Sequence, residues 1–149
     1  MFDNFTERAK QAMWLAEEEA RKSGYDYVGT GMLLLGVVGS GGTASRILAD
    51  LGITVEFARG EILALMEISA GHPQAEVPLS QNAKLALECA TEEAQKRPIK
   101  DIAGSHLLFG LLNGKDSVAM RAFDVMGVHV EDVKTRVSEE LDKSYGPHG

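Results

Sequence analysis

Small and apolar positions recur along this chain with a helical period, and the pattern occurs twice. Ala9, Ala12, Met13, Ala16 and Ala20 fall at i, i+3, i+4, i+7 and i+11, one face of an α-helix. Thr6 stands where the N-cap of that helix belongs, and Gly24 where it should stop. The face returns as Ala83, Ala86, Leu87, Ala90 and Ala94, with Ser80 as cap and Pro98 as terminator. Alanine dominates both faces, so each helix should lie close against its neighbours. A short helix that is apolar nearly all round, and therefore buried, is predicted next in each half, at 32–38 and 106–112. A third helix follows over 43–51, matched by 116–126, each ending at a glycine, Gly52 or Gly127. A fourth starts near Val55 or Val130. It carries Val55, Ala58, Ile62 and Leu65 on one face in the first copy, and Val130, Val133, Val137 and Leu141 in the second. No segment sustains a two-residue alternation of β-branched residues, so strands are not expected. The predicted fold is all-α: two pseudo-symmetric four-helix repeats, eight helices in all, forming one compact domain.

The repetition extends to residue identity. Between residues 5–39 and 79–113 there are eleven identities over 35 positions at an offset of 74, among them Lys10/Lys84, Glu19/Glu93 and Gly36/Gly110. One extra residue near 113–118 moves the offset to 75, where Ala44, Arg46, Gly52, Val55 and Glu56 meet Ala119, Arg121, Gly127, Val130 and Glu131. Residues 5–68 and 79–141 are thus the expected repeats, joined by a proline-containing, aperiodic linker at 69–78. The polar tail KSYGPHG is expected to fray.

A chain of 149 residues that is 44% hydrophobic can bury a core without staples. Its net charge of −7 disfavours nucleic-acid phosphate and anionic membrane as partners. The longest apolar run is far short of the ~18 residues a bilayer span needs. No secretory signal is visible at the N-terminus, so cytoplasm is expected, with the plastid stroma after transit-peptide removal as the alternative. Cys89 is the single cysteine and matches Leu15, so it reads as a small core residue in a reducing compartment.

No constellation of residues supports catalysis. Gly110, Gly114 and Lys115 fall one residue short of a phosphate loop, and Asp116 stands where a Ser or Thr must reach Mg²⁺. Gly39, Ser40, Gly41 and Gly42 precede a helix, but no cation accompanies them before Arg46, so the segment reads as a loop rather than an anion cradle. His72, His106, His129 and His148 lack metal-ligand spacing, so neither a metal nor a cofactor is expected; His106 should satisfy a buried polar contact. Glu17–Glu19 and Glu92–Glu93 read as exposed carboxylate runs, not an acid–base pair in a cleft.

What remains is surface. Phe2 and Phe5 precede the first helix, Leu79 takes the place of Phe5 in the second copy, and Lys10 and Lys84 lie on the matched helices. Together they are expected near the pseudo-twofold seam as an apolar groove rimmed by cationic stems, fit for a peptide. The competing account of Phe5 and Leu79 is a hydrophobic staple onto their own helices.

The opening MFDNFTERAKQAMWLAEEEARKSGYDYVGT, the Leu-Leu-Leu-Gly core, RILADLGI and the second copy together resemble the N-terminal domain of Clp unfoldases, most of all the ClpC branch. The resemblance spans roughly residues 1–141. It implies two four-helix repeats and a role in docking adaptor proteins, or unfolded or tagged protein clients, onto a AAA+ ring that feeds a Clp protease. The family motif Gly-Thr-Glu-His reads Gly29-Thr30-Gly31-Met32 in one copy and Ala103-Gly104-Ser105-His106 in the other. In relatives that recognise phosphoarginine those glutamates line the pockets, so only Thr30 carries over as a binding residue here. Lacking a Walker A lysine, the chain is expected either to be a piece of a long unfoldase or to be a stand-alone relative that acts beside Clp subunits. Sequestering a small molecule or cyclic peptide in the same groove is the alternative function.

Overall fold

In a computed structural model the protein is described over residues 2–66 and 78–147; the expected linker, apart from Pro78, lies outside the described residues. Four helices, α1 (Glu7–Lys22), α2 (Thr30–Gly39), α3 (Gly42–Asp50) and α4 (Val55–Leu65), are followed by α5 (Gln81–Gln95), α6 (Gly104–Leu112), α7 (Val118–Val125) and α8 (Val130–Tyr145). The hydroxyls of Thr6 and Ser80 accept from the Ala9 and Ala83 amides at 3.1 Å each, so both long helices open on the caps their sequences offer. Gly52 and Gly127 sit past the ends of α3 and α7 in the left-handed region, φ 82° and 76°.

Packing within each half rests on one device. Ala12 and Ala16 of α1 face Gly36 of α2; Ala86 and Ala90 of α5 face Gly110 of α6. With no side chain on the glycine and only methyls on the partner, the backbones meet almost directly. Nine of the ten residues of α2 are buried, as an all-apolar helix requires. Replacing Ala16 or Ala90, both fully buried, with leucine is expected to cost ~1–3 kcal/mol by overpacking. A thermal melt unchanged in both variants would contradict the buried-face assignment.

The halves are also interlocked. α3 packs on α6, α4 on α7, and the two central helices α2 and α6 meet across the seam. The chain ahead of each long helix pairs with the other half: the Thr6 amide donates to the Ile102 carbonyl at 2.9 Å and the Ile102 amide to the Asn4 carbonyl at 2.8 Å. The mate of this pairing runs from the Val28 amide to the Pro78 carbonyl at 2.7 Å and from the Ser80 amide to the Val28 carbonyl at 2.8 Å. These isolated bridges are the nearest approach to a sheet among the described residues.

The structure departs from expectation at four places. α7 starts at Val118, because Ser117 caps it and Asp116 holds a positive φ of 51° outside it. The tail does not fray from Lys143: α8 continues to Tyr145, and the Gly146 carbonyl accepts from Arg97 at 2.8 Å. Glu93 is not exposed but 2% accessible, in a 2.9 Å pair with the equally buried Arg97, which also reaches Asp142 at 2.6 Å. Cys89 is half-buried rather than part of the core.

Candidate functional site

Residues 2–5 cross the seam to pair with Ile102, and this brings both phenylalanines against the start of α5. Phe2 stacks on Phe5 with ring centroids 4.8 Å apart and a tilt of 53°. Phe5 is buried, while Phe2 and Leu79 are half-buried. With Leu87 they floor an open groove of about 480 Å³ whose rim carries Lys84, Glu88, Thr91 and Glu92 along α5. The rim carries one cation and two carboxylates rather than the cationic stems expected, and over an apolar floor it suits a peptide that buries one or two apolar side chains and keeps its backbone wet. Phe5 and Leu79 are tied by their backbones to the opposite repeat, so each serves the interlock as well as the groove floor.

Two residues expected at this site lie elsewhere. Lys10 is exposed on α1 beside Trp14 and pairs with Glu7 at 3.4 Å, outside the groove. The symmetry argument fails there because the counterpart of Phe2, position 76, is a glutamate. Thr30 is buried, and its hydroxyl accepts from the Ala119 amide at 3.1 Å, capping α7 from the other half. That acceptor is spent on the fold. Beside it, a Cβ on Gly31 would lie 2.7 Å from an Ile62 methyl and 2.9 Å from a Val118 methyl, so the glutamate of the family motif could enter only if those side chains shifted.

The buried polar groups hold structure rather than offer chemistry. His106 Nδ1 accepts from the Ala103 amide at 2.9 Å, which fixes a neutral imidazole with its proton on Nε2. The reciprocal half of a capping box is missing, since Ala103 has no side-chain acceptor. Burial, aided by the Arg97 guanidinium, lowers the His106 pKa to about 4. Burial, with Glu92 and Glu93 close by, pushes the Cys89 thiol up, the opposite of what a nucleophile needs. Among the described residues no cluster of His, Cys, Asp and Glu could hold a metal, and no single helix is long and apolar enough to cross a membrane.

Known proteins match this arrangement along its whole length. The Clp repeat (R) N-terminal domain family model matches residues 4–104 and 78–147. The chaperone protein ClpC1 of Oryza sativa subsp. japonica, a chloroplastic protein, is 37% identical over 145 residues, covering 97% of this chain and 16% of the relative. The chloroplastic ClpC1 of Arabidopsis thaliana is 38% identical over 138 residues, covering 92% of this chain and 15% of the relative. This chain therefore spans about a sixth of the length of these relatives. Among solved structures, the N-terminal domain of the chaperone ClpD from Arabidopsis thaliana superimposes with a TM-score of 0.82 at 26% identity, covering 95% of this chain and 99% of that one. The Hsp104 N-terminal domain from Candida albicans, at 18% identity, shares the fold with a TM-score of 0.74, covering 97% of this chain and 95% of its own.

Proposed function

Because the chain belongs to the Clp repeat (R) N-terminal domain family, we propose that it is a non-enzymatic docking module of the Clp protease system. It holds adaptor proteins or protein clients for, or modulates, a AAA+ unfoldase. The observation that carries this reading is the groove in which Phe2, Phe5 and Leu79 form an apolar floor beside Lys84. Phosphoarginine is not the expected ligand, since Gly31 offers no acceptor for a guanidinium and Ser105 offers one hydroxyl where a carboxylate would bind bidentately. The two ClpC1 relatives named above are chloroplastic, which supports the plastid stroma as the compartment over the cytoplasm.

Phe2 is half-buried at the end of the chain, so Phe2→Ala should weaken partner binding by about 1–3 kcal/mol while leaving the melting temperature nearly intact. A large drop in melting temperature, with affinity preserved, would instead make Phe2 a packing residue. The groove volume also suits a drug-sized ligand, which favours a second reading in which the same site sequesters a small molecule or cyclic peptide. Calorimetry with apolar cyclic peptides separates the readings: saturable heat that Phe2→Ala abolishes supports sequestration, and its absence leaves protein docking.

A further inference from the structure

Three charged residues line one edge of the apolar groove: Lys84, Glu88 and Glu92, spaced four apart on α5 and so stacked on successive turns of one face. All three are exposed. None takes part in an ion pair or a side-chain hydrogen bond among the described residues. Thr91, beside Glu92, gives its hydroxyl proton to the Leu87 carbonyl at 2.9 Å, so it supports neither carboxylate. Like charges one turn apart repel on a helix, and Glu88 and Glu92 therefore weaken α5 slightly as they stand.

The mate helix treats the same three positions differently. Lys10, Trp14 and Glu18 of α1 correspond to Lys84, Glu88 and Glu92. Lys10 pairs with Glu7 at 3.4 Å, Glu18 pairs with Arg21, and Trp14 carries no charge. Arg21 also reaches Glu17 at 2.7 Å, and Arg59 reaches Glu19 at 2.6 Å. Every carboxylate of α1 is thus matched by a cation of this chain. On α5 only Glu93 is so matched, by Arg97, and it faces away from the groove into the protein. The two carboxylates on the groove edge outweigh Lys84 by one charge, beside a floor of Phe2, Phe5, Leu79 and Leu87.

Granted that the groove docks a peptide, we propose that its occupant is a segment in which an apolar residue is followed by arginine. The apolar side chain lies on Phe2, Leu79 and Leu87, and the guanidinium lies between Glu88 and Glu92. Arginine is favoured over lysine because its planar fork offers donors to two carboxylates at once. A glutamate or aspartate at the same place meets two like charges, so acidic segments are rejected. Both carboxylates are exposed, so each contributes modestly and salt screens the preference.

The test is fluorescence anisotropy of labelled peptides that share a Phe-Leu anchor and carry arginine, glutamine or glutamate after it. Affinity for the chain at low salt should fall in that order. The arginine peptide should lead the glutamine peptide roughly tenfold, with the gap closing in high salt. Glu88→Gln combined with Glu92→Gln should shrink the gap to about twofold or less. Asp124→Asn combined with Glu139→Gln removes as much charge from exposed positions outside the groove and should leave the gap open. A gap that survives the first pair of substitutions, or that the second pair closes equally, would overturn the proposal. Equal affinity for all three peptides, weakened alike by Phe2→Ala, would overturn the charge preference and leave the docking groove standing. Failure of all three to bind would overturn both.

Discussion

Gly36→Ala and Gly110→Ala should each destabilise the protein by about 3 kcal/mol or more, while Gly60→Ala stabilises it by up to ~1 kcal/mol. All three glycines sit inside helices, so intrinsic propensity favours alanine at each. The surroundings decide the sign. A Cβ on Gly36 would lie 3.0 Å from the Ala12 carbonyl carbon, closer still to its oxygen, and 3.2 Å from the Ala16 amide. On Gly110 it would meet Ala86 and Ala90 in the same way, at 3.0 Å and 3.3 Å. These obstacles are backbone, which cannot swing aside as a side chain tip can, so α1 must part from α2, or α5 from α6. On Gly60 it would meet nothing within 4 Å. For a chain of this size the two clashes should appear as thermal midpoints lower by roughly 10 °C. Equal effects from all three substitutions would mean that the close helix approach is not what selects glycine.

Acid should destabilise the fold through His106. Its folded pKa is about 4 against 6.5 for the free side chain, because burial disfavours the charged imidazolium and the Arg97 guanidinium lies near. Between those two values the unfolded chain takes up a proton that the native state refuses. Stability is therefore highest above pH 6.5, falls as the pH drops toward 4, and levels off for this group below it. The loss between neutrality and pH 4 is on the order of 3 kcal/mol. Carboxylates add their own pH dependence, so the informative quantity is the difference between the parent chain and His106→Gln in urea melts across this range. The parent curve should be the steeper. Parallel curves would show that the imidazole is not held neutral.

The helices were legible because their signals are local: a cap, a period and a stop lie within one stretch of chain, and the second copy repeats them. Interactions that span the seam were not. Nothing near Thr30 in sequence announces that its hydroxyl caps a helix 89 positions away. Glu93 looked solvated because it stands in a carboxylate run with Glu92, and the two repeats treat this position differently. Glu19 reaches Arg59 on α4 with two hydrogen bonds, 2.6 Å and 3.1 Å, whereas Glu93 turns inward to Arg97, where the first repeat has Ser23. Within the groove, Phe2, Phe5, Leu79 and Lys84 could be grouped from the duplication, since the first two precede one helix and the others open its mate. Lys10 was wrongly grouped with them by that same duplication, which assumes both copies present an equal face. The loop at Gly41 and Gly42 looked far from any cation before Arg46, and Arg8, 33 positions earlier, reaches it only through the fold.

The docking claim is tested most directly by affinity capture from extracts of the native host at low salt, comparing the intact chain with Phe2→Ala by mass spectrometry. A Clp subunit or adaptor enriched by the intact chain and lost with a folded Phe2→Ala variant is the predicted result. Recovery of no Clp component, or equal recovery by both chains, would contradict a docking function seated in this groove.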